Sequence, residues 1–313
     1  MTDCKKPLVI IAGPTATGKT KCAVELAKAI NGEIISADSI QVYKGMDIGS
    51  AKVTFEEMCG VKHHLIDVLE PTQDFNITVF QTLAKEAMDE IYSRGKVPII
   101  AGGTGFYIQS VLYDIDFTEN EDNNEIREAL TRISLEKDGT DILFAMLKDI
   151  DPESADVIDK NNIKRVIRAI EFYKLSGKKI SEHNKLQSSK EAAYDARFFV
   201  LTDDRKVLYE RIDKRVDKMI ELGLVEEVRN LLNKGLKRDM VSMQGIGYKE
   251  IVSYLMGEIS LDEAIYIIKR DTRHFAKRQI TWFKREKDVI WLDRSKMTEQ
   301  EIIKAMTEAY YNE

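Results

Sequence analysis

Cysteine is scarce in this chain of 313 residues, which holds only Cys4, Cys22 and Cys59. They are odd in number and far apart, and neither they nor the four histidines make a Cys-x-x-Cys or Cys/His group of zinc-ligand spacing. Neither a disulfide framework nor a structural zinc is expected. Long apolar runs are also missing: no stretch approaches the roughly 20 consecutive apolar residues that a membrane span requires. The opening MTDCKKPLVIIAG runs into a motif rather than a signal-peptide cleavage site, so a cytoplasmic protein is expected. With 5 prolines, 17 glycines, 43% hydrophobic and 32% charged residues, the composition is that of a folded chain rather than a disordered or fibrous one. Positive charge is not in excess. The 47 Lys+Arg against 53 Asp+Glu leave a net charge of −6, which as a whole-chain sum argues against a generally cationic nucleic-acid binder.

The distribution of charge says more than its sum. From Glu119 to Asp159 there are 13 acidic and 4 basic residues, a balance of −9. From Lys160 to Lys190 there are 9 basic and 2 acidic residues, and from Lys269 to Lys287 there are 8 and 2, giving +7 and +6. Two segments are therefore basic enough to follow a nucleic-acid backbone, although each could equally be a solvated helix face.

At about 150 residues per domain, the length suits two domains or one domain with a large insertion. Short apolar runs alternate with amphipathic segments over the first hundred residues, the pattern of a parallel sheet covered by helices. The runs are Leu8 to Ala12, Glu33 to Ser36 and Val97 to Ala101, with a helix expected from Thr78 to Arg94 and stopped at Gly95. The next strand candidate, Arg197 to Leu201, follows a gap with helical patterns and no convincing strand. Residues 116–196 are accordingly read as a helical insertion into an α/β core made of 1–115 and 197–313. After Leu201 the chain is mostly helical, with a last strand candidate at Val289 to Leu292 and a terminal helix; no internal repeat is present.

Gly13-Pro14-Thr15-Ala16-Thr17-Gly18-Lys19-Thr20 matches G-x-x-x-x-G-K-[ST] completely, between an apolar strand and the helix-like KCAVELAKAI. In that setting the glycines let backbone N–H groups turn around phosphate oxygens. The helix N-terminus adds positive potential, Lys19 supplies a point charge, and the Thr20 hydroxyl can reach Mg²⁺. The loop fits a nucleotide γ-phosphate or a diphosphate that leaves whole. Many ATPases carry a metal-binding Asp at the end of a later strand, but Val97 to Ala101 runs into Gly102-Gly103-Thr104-Gly105. A carboxylate instead follows the earlier strand, at Asp38. In a parallel sheet the C-terminal strand ends share one crevice, so Asp38 should face the phosphate compound, unless it serves as a turn or helix-cap residue.

Eight segments carry a resemblance: GPTATGKT, SADSIQVYKGMDIGSAK (36–52), HHLID (63–67), GGTGFY (102–107), NNIKRVIRAIE (161–171), RIDKRVDKM (211–219), GIGYKE (245–250) and RHFAKRQITWF (273–283). Through them the chain resembles the bacterial tRNA dimethylallyltransferase family, in order and over nearly its whole length. The resemblance implies a P-loop NTPase-like core, with the insertion gripping the anticodon stem-loop. It also implies transfer of a dimethylallyl group from its diphosphate to N6 of the adenosine at tRNA position 37. By matched position, Asp38 is implied as general base. Thr15, Lys19 and Thr20 bind the diphosphate with Mg²⁺, and Arg215 holds the leaving group, with Arg211 as second choice. Implied tRNA contacts are Asp38, Ser39, Ile40, Gln41, Thr104, Arg127, Lys164, Arg165, Val166, Ile167 and Arg168. The family's eukaryotic members carry a C-terminal zinc-finger extension, whereas this chain stops at Glu313 with no Cys/His set, which points to the bacterial form; no zinc is therefore expected, and a monomer is the default. The loop also matches the ATP-site pattern, but the prenyl diphosphate is the expected ligand.

Phe106, Tyr107 and Trp282 are candidates for base stacking, with core packing favoured from the residues alone. His63 and His64 precede the apolar pair Leu65-Ile66 and read as structural rather than as metal ligands. Two other activities use the same loop: prenylation of a free adenylate, and phosphoryl transfer by a small-molecule kinase. Neither has a use for the helical insertion.

Overall fold

The computed structural model describes residues 5–117 and 124–312; Cys4 and the head of the acidic run, residues 118–123, lie outside them. Six strands form one parallel sheet: β1 (Pro7–Ala12), β2 (Gly32–Ala37), β3 (His63–His64), β4 (Val97–Gly102), β5 (Asp195–Thr202) and β6 (Val289–Asp293). Their order across the sheet is β3-β2-β4-β1-β5-β6. Leu8 to Ala12 of β1 are wholly buried between β4 and β5. This is why that strand reads as an unbroken apolar run: both faces of a covered parallel sheet are interior. The expected α/β architecture is present, with one strand added. β3 is two residues long and built from His63 and His64, too short and too polar to stand out in the sequence.

The chain divides into two compact units, Met1–Leu112 with Ala193–Glu313, and Tyr113–Ala192. The first carries the sheet and the helices α1 (Lys19–Ala29), α2 (Phe55–Met58), α3 (Ile77–Ser93) and α4 (Gly105–Leu112). The second holds α5 (Asn124–Ser134), α6 (Gly139–Ile150), α7 (Pro152–Val157), α8 (Ile163–Ser176) and α9 (Ile180–Ser188). The first unit resumes with α10 (Arg205–Glu221), α11 (Leu224–Asn233), α12 (Tyr248–Leu255), α13 (Leu261–Phe283) and α14 (Glu299–Tyr311).

Helix ends follow local chemistry. The Asn76 side chain accepts from Val79 N–H at 3.0 Å and starts α3, while Gly95 (φ +65°) lets the chain turn out of it. Thr298 and Glu301 make a capping box at the start of α14. In the second unit, Leu130, Leu143, Leu147, Val166 and Ile170 form an apolar core. There the buried Asp151 carboxylate accepts from the N–H and hydroxyl of both Ser154 and Ser181. Burial pushes that carboxyl up, but the four hydrogen bonds outweigh it and hold the group below its ordinary range.

His64 donates from Nε2 to the Glu33 carboxylate at 2.8 Å, and Arg94 and Lys96 donate to the same carboxylate at 2.6 and 3.0 Å. Burial raises the Glu33 carboxyl, but these partners bring it down to about 2. The cluster sits near the N-terminal end of β2, away from the crevice, so His64 is structural. Among the described residues no helix is long and apolar enough to cross a membrane.

Candidate active site

The phosphate loop leaves the C-terminal end of β1 and enters α1. Gly13 has φ +145°, and a Cβ there would stand 2.4 Å from the Leu201 carbonyl oxygen of β5, so no larger residue fits. Gly18, at φ +77°, turns the chain into the helix. The Thr17 hydroxyl and Lys19 Nζ both donate to the Pro14 carbonyl, at 2.8 and 2.7 Å, so the loop is folded on itself. Thr20 is exposed in the first turn of α1.

Asp38 follows β2 directly. Its Oδ1 accepts from Ile40 N–H (2.8 Å) and Gln41 N–H (3.2 Å), an Asx turn. The turn reading and the catalytic one are therefore compatible, because Oδ2 takes no hydrogen bond from the described residues. Ser39 is exposed and Ile40 half-buried in the same turn. Gln41 is tied inward, with Oε1 3.2 Å from Ser36 Oγ and Nε2 donating to the carbonyls of Ser50 and Ala51.

That second loop is braced from far away in sequence. The Glu227 carboxylate on α11 accepts from the N–H groups of Asp47, Ile48 and Gly49 at 2.9, 2.7 and 3.1 Å, and from the Tyr248 hydroxyl at 2.8 Å. A Cβ on Gly49 would come within 2.6 Å of the Tyr248 ring, so glycine is required. Lys52, nearly buried, pairs with Asp47 and Asp67 and donates to the Tyr43 carbonyl. The segments DIGSAK, HHLID and GIGYKE thus share a task that the sequence did not disclose: they fix the platform on which Asp38 stands.

α10 supplies the two candidate arginines, and they face different partners. Arg215 Nη1 donates to Thr15 Oγ1 at 3.3 Å, whereas Arg211 Nη1 lies 2.6 Å from the Asp203 carboxylate. Arg215 is therefore the arginine at the phosphate loop. Burial pushes its guanidinium down from its ordinary value, and Asp38 opposes that shift.

Lys19 shares this environment. Burial first, then the Arg215 charge, bring its ammonium down to about 7, against the opposing pull of Asp38. A multiply charged diphosphate anion favours the charged amine. Above neutral pH, binding inorganic diphosphate is expected to take up a proton and to weaken as pH rises. Titration calorimetry at pH 8 in two buffers of different ionisation enthalpy checks this; equal apparent enthalpies would show that Lys19 is already charged in the free protein.

β4 ends at Gly102, and Thr104 begins α4 by accepting from Tyr107 and Ile108 N–H. Gln279, 5% exposed on α13, accepts from Thr15 N–H at 3.1 Å and donates to the Gly103 carbonyl at 3.0 Å. Of the three aromatics, Tyr107 stacks on Phe80 at 4.5 Å and is core. Phe106 and Trp282 meet edge-on at 6.1 Å, with Phe106 half-exposed. In the basic stretch from Lys269, that lysine and Arg273 pair with Asp217 and Asp213, joining α13 to α10.

The remaining candidates lie in the second unit. Arg127 pairs with Glu171 at 2.9 Å. Lys164, Arg165 and Arg168 are exposed on α8, but Val166 and Ile167 are only 1% and 8% exposed in the apolar core. Helical period turns those two inward and leaves Lys164, Arg165 and Arg168 as the exposed side chains of this stretch. The basic and acidic halves of the unit also meet each other, at Lys160–Asp141 and Lys185–Glu153.

Among the described residues no group of three or more His, Cys, Asp or Glu is arranged to hold a metal. The loop nevertheless suits Mg²⁺, which keeps several waters and takes most of its other ligands from phosphate oxygens, needing little more from a protein than a hydroxyl such as that of Thr20.

The sequence profile of the IPP transferase family matches residues 41–286. A tRNA dimethylallyltransferase of Lachnoclostridium phytofermentans is 57% identical over 308 residues, covering 97% of this chain and 98% of the relative. Among solved structures, the full-length tRNA isopentenylpyrophosphate transferase of Bacillus halodurans is 42% identical with a TM-score of 0.73, each chain covered to 98%. A eukaryotic dimethylallyltransferase described as acting on tRNA is 31% identical with a TM-score of 0.81, covering 93% of this chain and 74% of that one.

Proposed function

The chain belongs to the IPP transferase family and transfers a dimethylallyl group to tRNA, and from that premise we propose how its residues do so. The donor is dimethylallyl diphosphate and the acceptor is the exocyclic N6 of the adenosine at tRNA position 37. The observation that carries this reading is the convergence of Thr15, Lys19, Arg215 and Asp38 at the C-terminal ends of β1 and β2.

In the step itself, the N6 lone pair forms a bond to the allylic C1, the C1–O bond breaks, and its electron pair leaves with the diphosphate. Because the exocyclic amine is delocalised into the ring, it is a weak nucleophile, and the free Oδ2 of Asp38 accepts its proton. Diphosphate leaves readily only when its developing charge is met. The backbone N–H groups of the loop other than that of Thr15, together with Lys19 and Arg215, meet it. Thr20 would hold Mg²⁺, which would supply further positive charge at the leaving group. Arg211, turned to Asp203, acts at most from the edge.

The adenosine is reached by unstacking it from an RNA loop, which costs less than extrusion from a duplex. The turn from Asp38 to Gln41 and Thr104 contact it, while Arg127, Lys164, Arg165 and Arg168 of the helical unit bind the anticodon stem-loop backbone. The protein works as a cytoplasmic monomer and needs no zinc.

The test offers radiolabelled dimethylallyl diphosphate and Mg²⁺ with either tRNA or AMP, and γ-labelled ATP in parallel. Label is expected in tRNA. Label in AMP alone would replace the acceptor, and label moved only from ATP would make the loop a kinase site.

A further inference from the structure

We propose that Gln279 is a positioning residue that sets the separation between the diphosphate loop and the turn at Gly103–Thr104, and so between the leaving group and the accepting adenosine. The proposal rests on the reading of the two loops given above. One amide side chain, 5% exposed, joins them: Oε1 accepts from Thr15 N–H at 3.1 Å, and Nε2 donates to the Gly103 carbonyl at 3.0 Å. Only this orientation of the amide serves both partners, since an N–H must meet an acceptor and a carbonyl a donor.

The fit around the amide is tight on the Gly103 side. A Cβ on Gly103 would stand 2.1 Å from Gln279 Nε2, so that glycine is needed for the carbonyl and the amide to approach. Trp282, three residues on and on the same helix face, fills the space above Gly105, where a Cβ would lie 2.2 Å from the indole. The turn from 103 to 105 is thus gripped twice by α13. That helix is in turn held to α10, the helix of Arg215, through Lys269–Asp217 and Arg273–Asp213.

Thr15 is fixed on two sides by the same assembly. Its N–H goes to Gln279 and its hydroxyl accepts from Arg215. The Thr15 N–H is thereby withdrawn from phosphate binding, and the contribution of this residue to the diphosphate comes through its hydroxyl. Gln279 touches no reacting atom. It acts by holding Thr15 and Thr104 in one frame, and small misplacements of reacting groups cost rate far more than they cost binding.

The experiment compares Gln279→Glu and Gln279→Ala with the parent protein. Glu keeps the acceptor for Thr15 N–H but sets an oxygen against the Gly103 carbonyl; Ala removes both bonds. The parent must first transfer the dimethylallyl group to tRNA, and failure there refutes the proposed function rather than this role. For Gln279→Glu, kcat is expected to fall about tenfold or more, while the Kd for inorganic diphosphate stays within about threefold of the parent. Gln279→Ala should lower kcat at least as far. If either folded variant keeps kcat within about twofold, the role is refuted. It is also refuted if kcat, diphosphate affinity and Tm fall together in Gln279→Glu, because that pattern marks general loosening rather than misplacement. Should Gln279→Ala not fold, Gln279→Glu alone decides.

Discussion

Asp38→Asn is expected to lower the rate of dimethylallyl transfer by about two orders of magnitude or more, leaving the affinity for inorganic diphosphate within a few-fold of the parent. The asparagine is the sharper variant because of what Asp38 does locally. Its Oδ1 accepts from Ile40 and Gln41 N–H and shapes the turn. An amide oxygen can do the same, so Asn keeps the turn while removing the proton acceptor. Asp38→Ala loses both and should be at least as slow. A hundredfold loss corresponds to about 2.7 kcal/mol of transition-state stabilisation, within the ordinary range for a positioned acid or base. Single-turnover transfer with pre-bound substrates isolates the step. Near-parental turnover in Asp38→Asn would mean that another group, or water, takes the proton.

The second large effect is expected at Arg215. Arg215→Ala should reduce kcat by about a hundredfold, with a weaker rise in KM for dimethylallyl diphosphate, because charge on the leaving oxygens develops mainly in the transition state. Arg215→Lys should recover only part of the loss. A lysine keeps the charge but lacks the planar fork that reaches Thr15 Oγ1. Arg211→Ala is the internal control. That side chain lies one helical turn away and is held by Asp203, so its removal should leave kcat within about threefold. If Arg211→Ala were the slower of the two variants, the assignment of leaving-group charge to Arg215 would fail.

The parts of the fold that were readable in sequence are those whose burial is symmetric or whose turns are chemically demanding. β1, β2, β4 and β5 sit in a covered parallel sheet and show as apolar runs. The phosphate loop shows because Gly13 and Gly18 meet backbone demands that few other residues satisfy. β3 was hidden because two histidines carry no strand pattern. Val166 and Ile167 illustrate another limit. A run of residues that resembles a contact segment contains, at helical spacing, the positions that hold its own helix to the core. Glu227 and Gln279 were hidden for a different reason. Each is a single polar residue in an amphipathic helix, which is ordinary for a solvated face, and each has its main partners at least 176 residues away. Position along a chain gives no warning of such a bond.

The two tethers of Thr15 also bear on how the protein is made. They come from residues 200 and 264 positions further along the chain. On the ribosome the phosphate loop is therefore synthesised long before the residues that fasten it. Until β5 emerges, one edge of β1 has no neighbour, and the nascent chain carries an apolar strand with an open flank for well over a hundred residues. A chain released before α13 would hold every residue of the phosphate-binding motif and yet lack the glutamine that secures it.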